Sequence, residues 1–369
     1  MKIACISAAQ IPSDTANSIQ VMKVCQAFMQ LGHAVTLLVP GNQPEMISQD
    51  QLKDHYGLET LFPIQWLPGR NRRLFPWMAV RQARRMQVKL IYAWPPQSAA
   101  LGLLTGIPSM LELHDLPSGR FGPFWLRLFL LIPGRKRLLP ITRALQCSLN
   151  LPPNQTVIAP DGVDLERYVS LPAPESARRI LGLPSALTVL CTGHLYAGRG
   201  ADLFLELAGK FPQTSFIWVG GRPADVESWK GCAARLTNVS FTGFVPNERI
   251  PLYQSAADVL LMPYQRTVAT SSGGDTAEIC SPMKMFEYMA AGRAILTSDL
   301  PVLHEVLDEK TAVFCPPDDV EAWESTLAGL LNDEKDRRVM GQRARVAVEQ
   351  YSWVKRAQRV LEGFYEVPA

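Results

Sequence analysis

Short, nearly continuous apolar runs recur along the chain, separated by segments in which apolar positions return every three or four residues. KIACIS from Lys2, AVTLLV from Ala34, FPIQWL from Phe62, KLIYAW from Lys89, SMLEL from Ser109 and TVIAP from Thr156 predict strands. A proline-rich stretch, LPAPES from Leu171, breaks the pattern. It restarts with LTVLCTG from Leu187, SFIWVGG from Ser215, DVLLMP from Asp258, AILTS from Ala294 and TAVFCP from Thr311. Strands that are apolar on both faces and alternate with helices belong to parallel sheets covered on both sides. The restart predicts two such α/β units, residues 1–170 and 171–350, followed by an amphipathic closing helix within 351–369. In such folds ligands sit beyond the carboxyl ends of the strands.

Charge changes this picture in one respect. The net charge is only +3, but between Thr60 and Pro160 thirteen Lys and Arg face two acids, Glu112 and Asp115. The first unit therefore carries a basic surface, which predicts an anionic partner. Two stretches there, GRNRRLFPWMAVRQARR from Gly69 and FWLRLFLLIPGRKRLLP from Phe124, mix aromatic, aliphatic and basic residues and predict contact with an anionic membrane. Buried helices with solvated arginines remain the alternative.

Other classes are excluded by what is missing. There is no G-x-G-x-x-G, Walker loop, H-E-x-x-H or G-x-S-x-G, which disfavours NAD-dependent enzymes, P-loop NTPases, zinc proteases and serine hydrolases. No nucleic-acid-binding motif accompanies the basic residues. The seven cysteines form no CxxC pair, which argues against a zinc site or a disulfide framework and for a reducing cytoplasm. MKIACISAAQI reads as a first strand rather than a signal peptide, and no run reaches the ~18 apolar residues of a spanning helix.

Candidate chemistry concentrates in SPMKMFEYMAAGRAILTSD, Ser281 to Asp299. Ser281 suits an N-cap, Pro282 a first helical position and Gly292 the helix end. Pro282, Met285, Phe286 and Met289 make the apolar stripe. Lys284 stands where a capping box would place Glu or Gln, and a cation in the first turn opposes the helix dipole. An anion bound at that helix end would reconcile the two. Glu287 lies too deep in the helix to cap it and suits a vicinal diol such as a ribose. A solvated lysine and a weak salt bridge to Lys284 or Arg293 are the plain alternatives. In LTVLCTGHLYAGRGADLFLELAGKF a strand enters a turn with Gly193, Gly198 and Gly200 around Arg199. Glycines allow close backbone approach and arginine suits a phosphate.

Taken in order, these motifs resemble the retaining glycosyltransferases of family four, with the GT-B fold. The match is carried by SPMKMFEYMAAGRAILTSDLPVLHEVL, LGHAVTLLVP at 31–40, PSMLELHD, VIAPDGVDLERY, CTGHLYAGRGADLFLELA and FTGFVPNERIPLYQSAADVLLMPY. The resemblance implies two facing Rossmann-like domains with a cleft between them, and a nucleotide sugar held mainly by the second. It implies Glu287 on the ribose, Arg199 on the phosphates, the backbone near Val245 on the base and His114 on the transferred sugar. The implied donor-binding set is Gly193, His194, Arg199, Val245, Ser281, Met283, Lys284 and Glu287, and the catalytic set is His114, Arg199 and Glu287. No metal or other cofactor is expected, and no D-x-D motif is present. The implied acceptor is a glycan, a lipid or a small molecule. The implied location is cytoplasmic, peripheral at the inner membrane face. The chain departs from the family pattern at Ile279, where a first glutamate is usual, at His194, where arginine is usual, and at Asp161, where asparagine is usual. The first loop, QIPSDTANSIQ, lacks the usual glycine pair. These departures keep two other readings open: a sugar-nucleotide-binding subunit, and a GT-B nucleotide-sugar epimerase.

Overall fold

The computed structural model describes residues 1–43, 48–68, 72–117, 119, 121–269 and 275–364. They form two compact units: Met1–Asp161 with Trp353–Ala369, and Gly162–Ser352. The start of the basic stretch (69–71) and the end of the closing segment (365–369) lie outside the described residues.

In the first unit β1 (Lys2–Ile6), β2 (Ala34–Pro40), β3 (Ile64–Leu67), β4 (Leu90–Ala93), β5 (Ser109–Leu113) and β6 (Lys136–Pro140) form one parallel sheet, ordered β3-β2-β1-β4-β5-β6. In the second, β7 (Thr188–Thr192), β8 (Ser215–Val219), β9 (Val239–Phe241), β10 (Val259–Met262), β11 (Ala294–Ser298) and β12 (Val313–Cys315) are ordered β12-β11-β10-β7-β8-β9, again all parallel. Counted from its own first strand, the second sheet repeats the order of the first. Both are doubly wound, with winding reversing between β1 and β4 and between β7 and β10. That switch point is where such sheets hold ligands. The expected fold class holds in each unit. The central strands are buried on both faces, and in the second unit Phe204, Phe216, Trp218 and Trp323 fill the helix–sheet layers.

Three segments differ from the sequence expectation. TVIAP is not a strand, although an isolated bridge joins Thr156 to Leu138 and Val157 N and Ala159 N donate to Leu138 O and Pro140 O at 2.9 Å each. The sheet edge is instead β6, KRLLP, whose two leading charges disguise it. Those charges serve helix ends. Lys136 Nζ donates to the carbonyls of Phe129 and Ile132, at 3.1 and 2.6 Å, where the helix Gly122–Leu131 ends. Arg137 donates to the carbonyls of Val360 and Glu362, at 2.7 and 2.8 Å, at the end of the helix Trp353–Leu361. Cations suit the negative end of a helix. The second unexpected strand is β9, only three residues long.

The helix Trp353–Leu361 belongs to the first unit and buries Trp353, Arg356, Ala357 and Val360. That spacing is one helical face, so an arginine occupies a core position. Among the described residues no helix is long and apolar enough to cross a membrane.

Candidate functional site

In the second unit the glycine turn leaves the carboxyl end of β7, beside the switch point. Its glycines serve the protein's own backbone. A Cβ on Gly198 (φ +78°) would lie 1.9 Å from the carbonyl oxygen of Thr267, and one on Gly200 (φ +80°) 1.9 Å from that of Pro263. The turn is thereby pressed onto the segment that follows β10, with Gln265 N donating to Gly198 O at 3.0 Å. Gly193 makes room for a side chain: its Cβ would stand 3.3 Å from Lys284 Nζ.

The turn brings two cations onto one aromatic ring. Arg199 donates to the Tyr264 hydroxyl at 2.8 Å, with its guanidinium 5.0 Å from the ring centre. Lys284 Nζ is 5.2 Å from the same centre and 3.9 Å from Cys191 Sγ. Tyr264 is buried, while Arg199 and Lys284 are half-buried. Among the described residues neither cation has a carboxylate within ion-pair distance. Cation–π attraction of about 0.5–2 kcal/mol each holds them against their mutual repulsion. Two adjacent positive charges without an acid beside a switch point have the chemistry that suits an anion.

Lys284 comes from the helix Met283–Ala291. The expected cap is shifted by one residue: Pro282 is the N-cap, in extended conformation, no side chain caps the helix, and Ser281 is a buried residue before it. Met285 N already donates to Pro282 O at 2.9 Å, and the two amides before it are the ones that would suit an anion at this helix end. The helix is fastened at its middle by Tyr288, whose hydroxyl accepts from Thr192 N at 2.8 Å and donates to Leu261 O at 3.4 Å. Those partners lie on β7 and β10, so the helix start is held over the switch point. Gly292 ends the helix at φ +64°, as its position suggests.

Glu287 sits one turn along. Its Oε2 accepts from Gln254 Nε2 at 3.1 Å. Gln254 is buried, and its Oε1 accepts from the Tyr168 hydroxyl at 2.8 Å. Tyr168 thus decides which end of the amide faces Glu287. Of the groups weighed as ordinary salt-bridge partners for Glu287, Lys284 turns to Tyr264 and Arg293 donates to Ser255 O at 3.1 and 3.2 Å. Val245 lies half-buried after β9, beside the Gly220–Gly243 bridge, and Met283 is half-buried at the helix start. His194 stacks on Tyr196 with ring centres 4.9 Å apart.

In the first unit His114 follows β5. Its Nε2 lies 2.7 Å from Glu112 Oε1, and the side chain stays 29% exposed. Glu112 is buried and also accepts from Gln20, Tyr92 and Arg356. Burial alone would raise its carboxyl, but Arg356 together with His114 and Tyr92 holds it down at about 2. His114 is raised: burial opposes protonation, and the bond to Glu112 with the charges of Glu112 and Asp161 outweighs it. Asp161, also buried, is pushed up to about 6 by burial, against the pull of His114 and Arg356. Ligand-type atoms of Glu112, His114 and Asp161 all lie within 4.8 Å of one another. The spacing would suit a metal, but the guanidinium of Arg356 already occupies the cation's place against Glu112.

Sequence reasoning missed Tyr264, Tyr288, Gln254, Tyr168, Glu112 and Arg356. Two carried a signal. Glu112 interrupts an apolar strand, and Arg356 stands on the apolar stripe of the last helix. The tyrosines and Gln254 read as ordinary amphipathic positions.

Residues 186–333 match the family model for Glycosyl transferases group 1. A GDP-mannose-dependent alpha-(1-6)-phosphatidylinositol monomannoside mannosyltransferase of Mycolicibacterium smegmatis is 29% identical over 215 residues, 55% of this chain and 54% of that protein. A D-inositol 3-phosphate glycosyltransferase of Corynebacterium urealyticum is 27% identical over 230 residues, 58% and 51% of the two. The chain spans about half the length of these curated relatives. The structure of Anabaena HepE in complex with UDP superposes with a TM-score of 0.75 over 98% of this chain and 99% of that one, at 16% identity, which shows the shared fold. The paired doubly wound units are of the GT-B class. The match to the group 1 glycosyltransferase model lies within the second unit, Gly162–Ser352.

Proposed function

We propose that this chain moves a sugar from a nucleotide-sugar donor to an acceptor hydroxyl. The observation that carries the reading is the pair Arg199 and Lys284 on Tyr264, beside an uncapped helix start, with Glu287 one turn further on. The two cations and the helix amides suit a diphosphate, Glu287 suits the ribose hydroxyls, and the backbone around Val245 suits the base. The family resemblance assigns His114 to the transferred sugar. A helix terminus offers roughly 0.3–2 kcal/mol, whereas rate enhancement needs at least about 8 kcal/mol. The amides, Arg199 and Lys284 therefore act together on the charge that grows on the leaving diphosphate. They supply the positive charge without a metal ion. The leaving phosphate takes the acceptor's proton on the face it departs from, which gives retention.

One relative depends on GDP-mannose and one structure of the same fold holds UDP, so the base is decided by experiment. Thermal melts with UDP-, GDP- and ADP-sugars are expected to show a rise for one class. Binding at 100 times Kd adds about 2.7 kcal/mol. Glu287→Ala is expected to lose most of that rise. Equal melting in all three classes, or an unchanged rise in Glu287→Ala, overturns the site. Donor turnover without acceptor would identify an epimerase, and binding without turnover a binding subunit.

A lipid-linked acceptor fits the basic helices of the first unit. The helices Phe75–Arg85 and Gly122–Leu131 both pack on the helix Pro96–Leu104. They expose Trp77 and Phe124 at 55% each and Leu131 at 73%, next to Arg81, Arg84, Arg85 and Arg127 and with no acid on either helix. Each basic residue near an anionic surface adds about 1 kcal/mol. Flotation with phosphatidylglycerol vesicles is expected to recover the protein, and with phosphatidylcholine vesicles to leave it behind. Trp77→Ser with Phe124→Ser is expected to cut the recovery several-fold. Equal recovery with both lipids ends the idea.

A further inference from the structure

Arg356 stands on the chain's last helix, far in sequence from every motif above, yet it is the centre of the His114 cluster. All three guanidinium nitrogens are used. Nε donates to Pro160 O at 2.7 Å, and Nη2 to Ala159 O at 3.0 Å and Glu112 Oε1 at 2.7 Å. Nη1 donates to the Tyr92 hydroxyl at 3.2 Å and Glu112 Oε2 at 3.4 Å. One side chain thus fixes both Glu112 and the two residues that lead into Asp161. These are the carboxylates that flank His114. A buried ion pair of this kind adds little net stability compared with an apolar core, because desolvation offsets the attraction. Its arrangement has another use.

The bond to Glu112 takes His114 Nε2 as donor. His114 Nδ1 makes no hydrogen bond to protein among the described residues, and the ring remains partly exposed. We propose that Arg356 and Glu112 are positioning residues for His114, holding its ring so that a protonated Nδ1 is presented to an oxygen of a bound ligand. The ligand's identity as a nucleotide sugar rests on the reading under Proposed function. The positioning does not. The charged groups that act on the ring are Glu112 on β5, Asp161 after the bridge at Thr156 and Arg356 on the last helix; Tyr92 on β4 and the neutral Gln20 from the helix Ala16–Gln30 bond Glu112 behind it. Asp115, next in sequence, turns its carboxylate to Leu116 N.

The test follows the five histidine rings by NMR in the full chain, with His114 assigned as the resonance lost in His114→Gln. In the wild type His114 is expected to titrate above the ordinary value of about 6.5. In Glu112→Gln, nearly isosteric, its midpoint is expected to fall by about one pH unit or more. In Arg356→Lys, which keeps the charge and loses the fork, it is expected to fall part of the way. A merely structural role would lower the melting temperature of both variants and leave the midpoint where it was. An unchanged midpoint in the variants, or a wild-type midpoint at or below the ordinary value, overturns the proposal. With the donor found by thermal melts, Arg356→Lys is expected to lower kcat about tenfold or more with little change in the donor's KM. A matching rise in KM with kcat unchanged counts against it. If no sugar nucleotide is turned over, the transferase reading fails while the NMR titration still decides the positioning.

Discussion

Replacing Arg199 and Lys284 together by methionine is expected to weaken UDP or GDP binding by two to three orders of magnitude. Methionine keeps the stems against Tyr264 and removes only charge and donors. A hydrogen bond to a charged group contributes about 1.5–3 kcal/mol, and each 1.4 kcal/mol is tenfold in affinity. Each single variant is therefore expected to lose about one to two orders. The double variant falls short of the full sum, because both side chains act on one diphosphate and share one ring. The unliganded double variant is expected to melt within a few degrees of the wild type. What it loses in cation–π attraction it regains by removing two like charges from each other's vicinity. Calorimetric titration with the two nucleotides checks the affinity. If the double variant binds as tightly as the wild type, the diphosphate lies elsewhere.

The second large effect concerns stability. Asp161→Asn is expected to stabilise the protein at pH 7.5 by up to about 3 kcal/mol, and by about half of that at pH 5. Asp161 is raised to about 6, mainly by burial. The folded state therefore holds a proton that the unfolded chain releases near pH 3.8. Stability falls as pH rises through this window and levels off above it. Asparagine has no charge to bury and avoids the loss. Urea midpoints of both proteins at several pH values test this. A difference that does not change with pH sinks it. The aspartate also helps keep a proton on His114. The variant is thus expected to gain stability while lowering the His114 midpoint, an exchange of stability for site chemistry. Glu112 has the opposite sign: held at about 2, it contributes stability that is complete above the ordinary carboxyl range and is lost as pH falls through about 2.

Most of the strands and the helix that carries Lys284 and Glu287 were legible, because period and punctuation are local. A strand buried on both faces must be apolar throughout, and Gly292 ends its helix by a left-handed turn at φ +64°. KRLLP hid because its two charges are satisfied by carbonyls at helix ends distant in sequence. TVIAP misled because an apolar run next to a sheet resembles a run inside it. The helix start moved by one residue because Pro282 takes the extended conformation of a cap.

The amino-acid pattern alone determined that the chain builds two α/β units with parallel sheets, and that a cation and a carboxylate share one helix. These follow from periodicity and from residue chemistry, which the chain carries in order. Only the tertiary structure decided that Arg199 and Lys284 meet on Tyr264, that Tyr168 and Gln254 aim Glu287, and that Arg356 returns from the last helix to hold Glu112 beside His114. Each joins residues far apart along the chain. A side chain's electrostatic surroundings are set by distance in space, which no local pattern records.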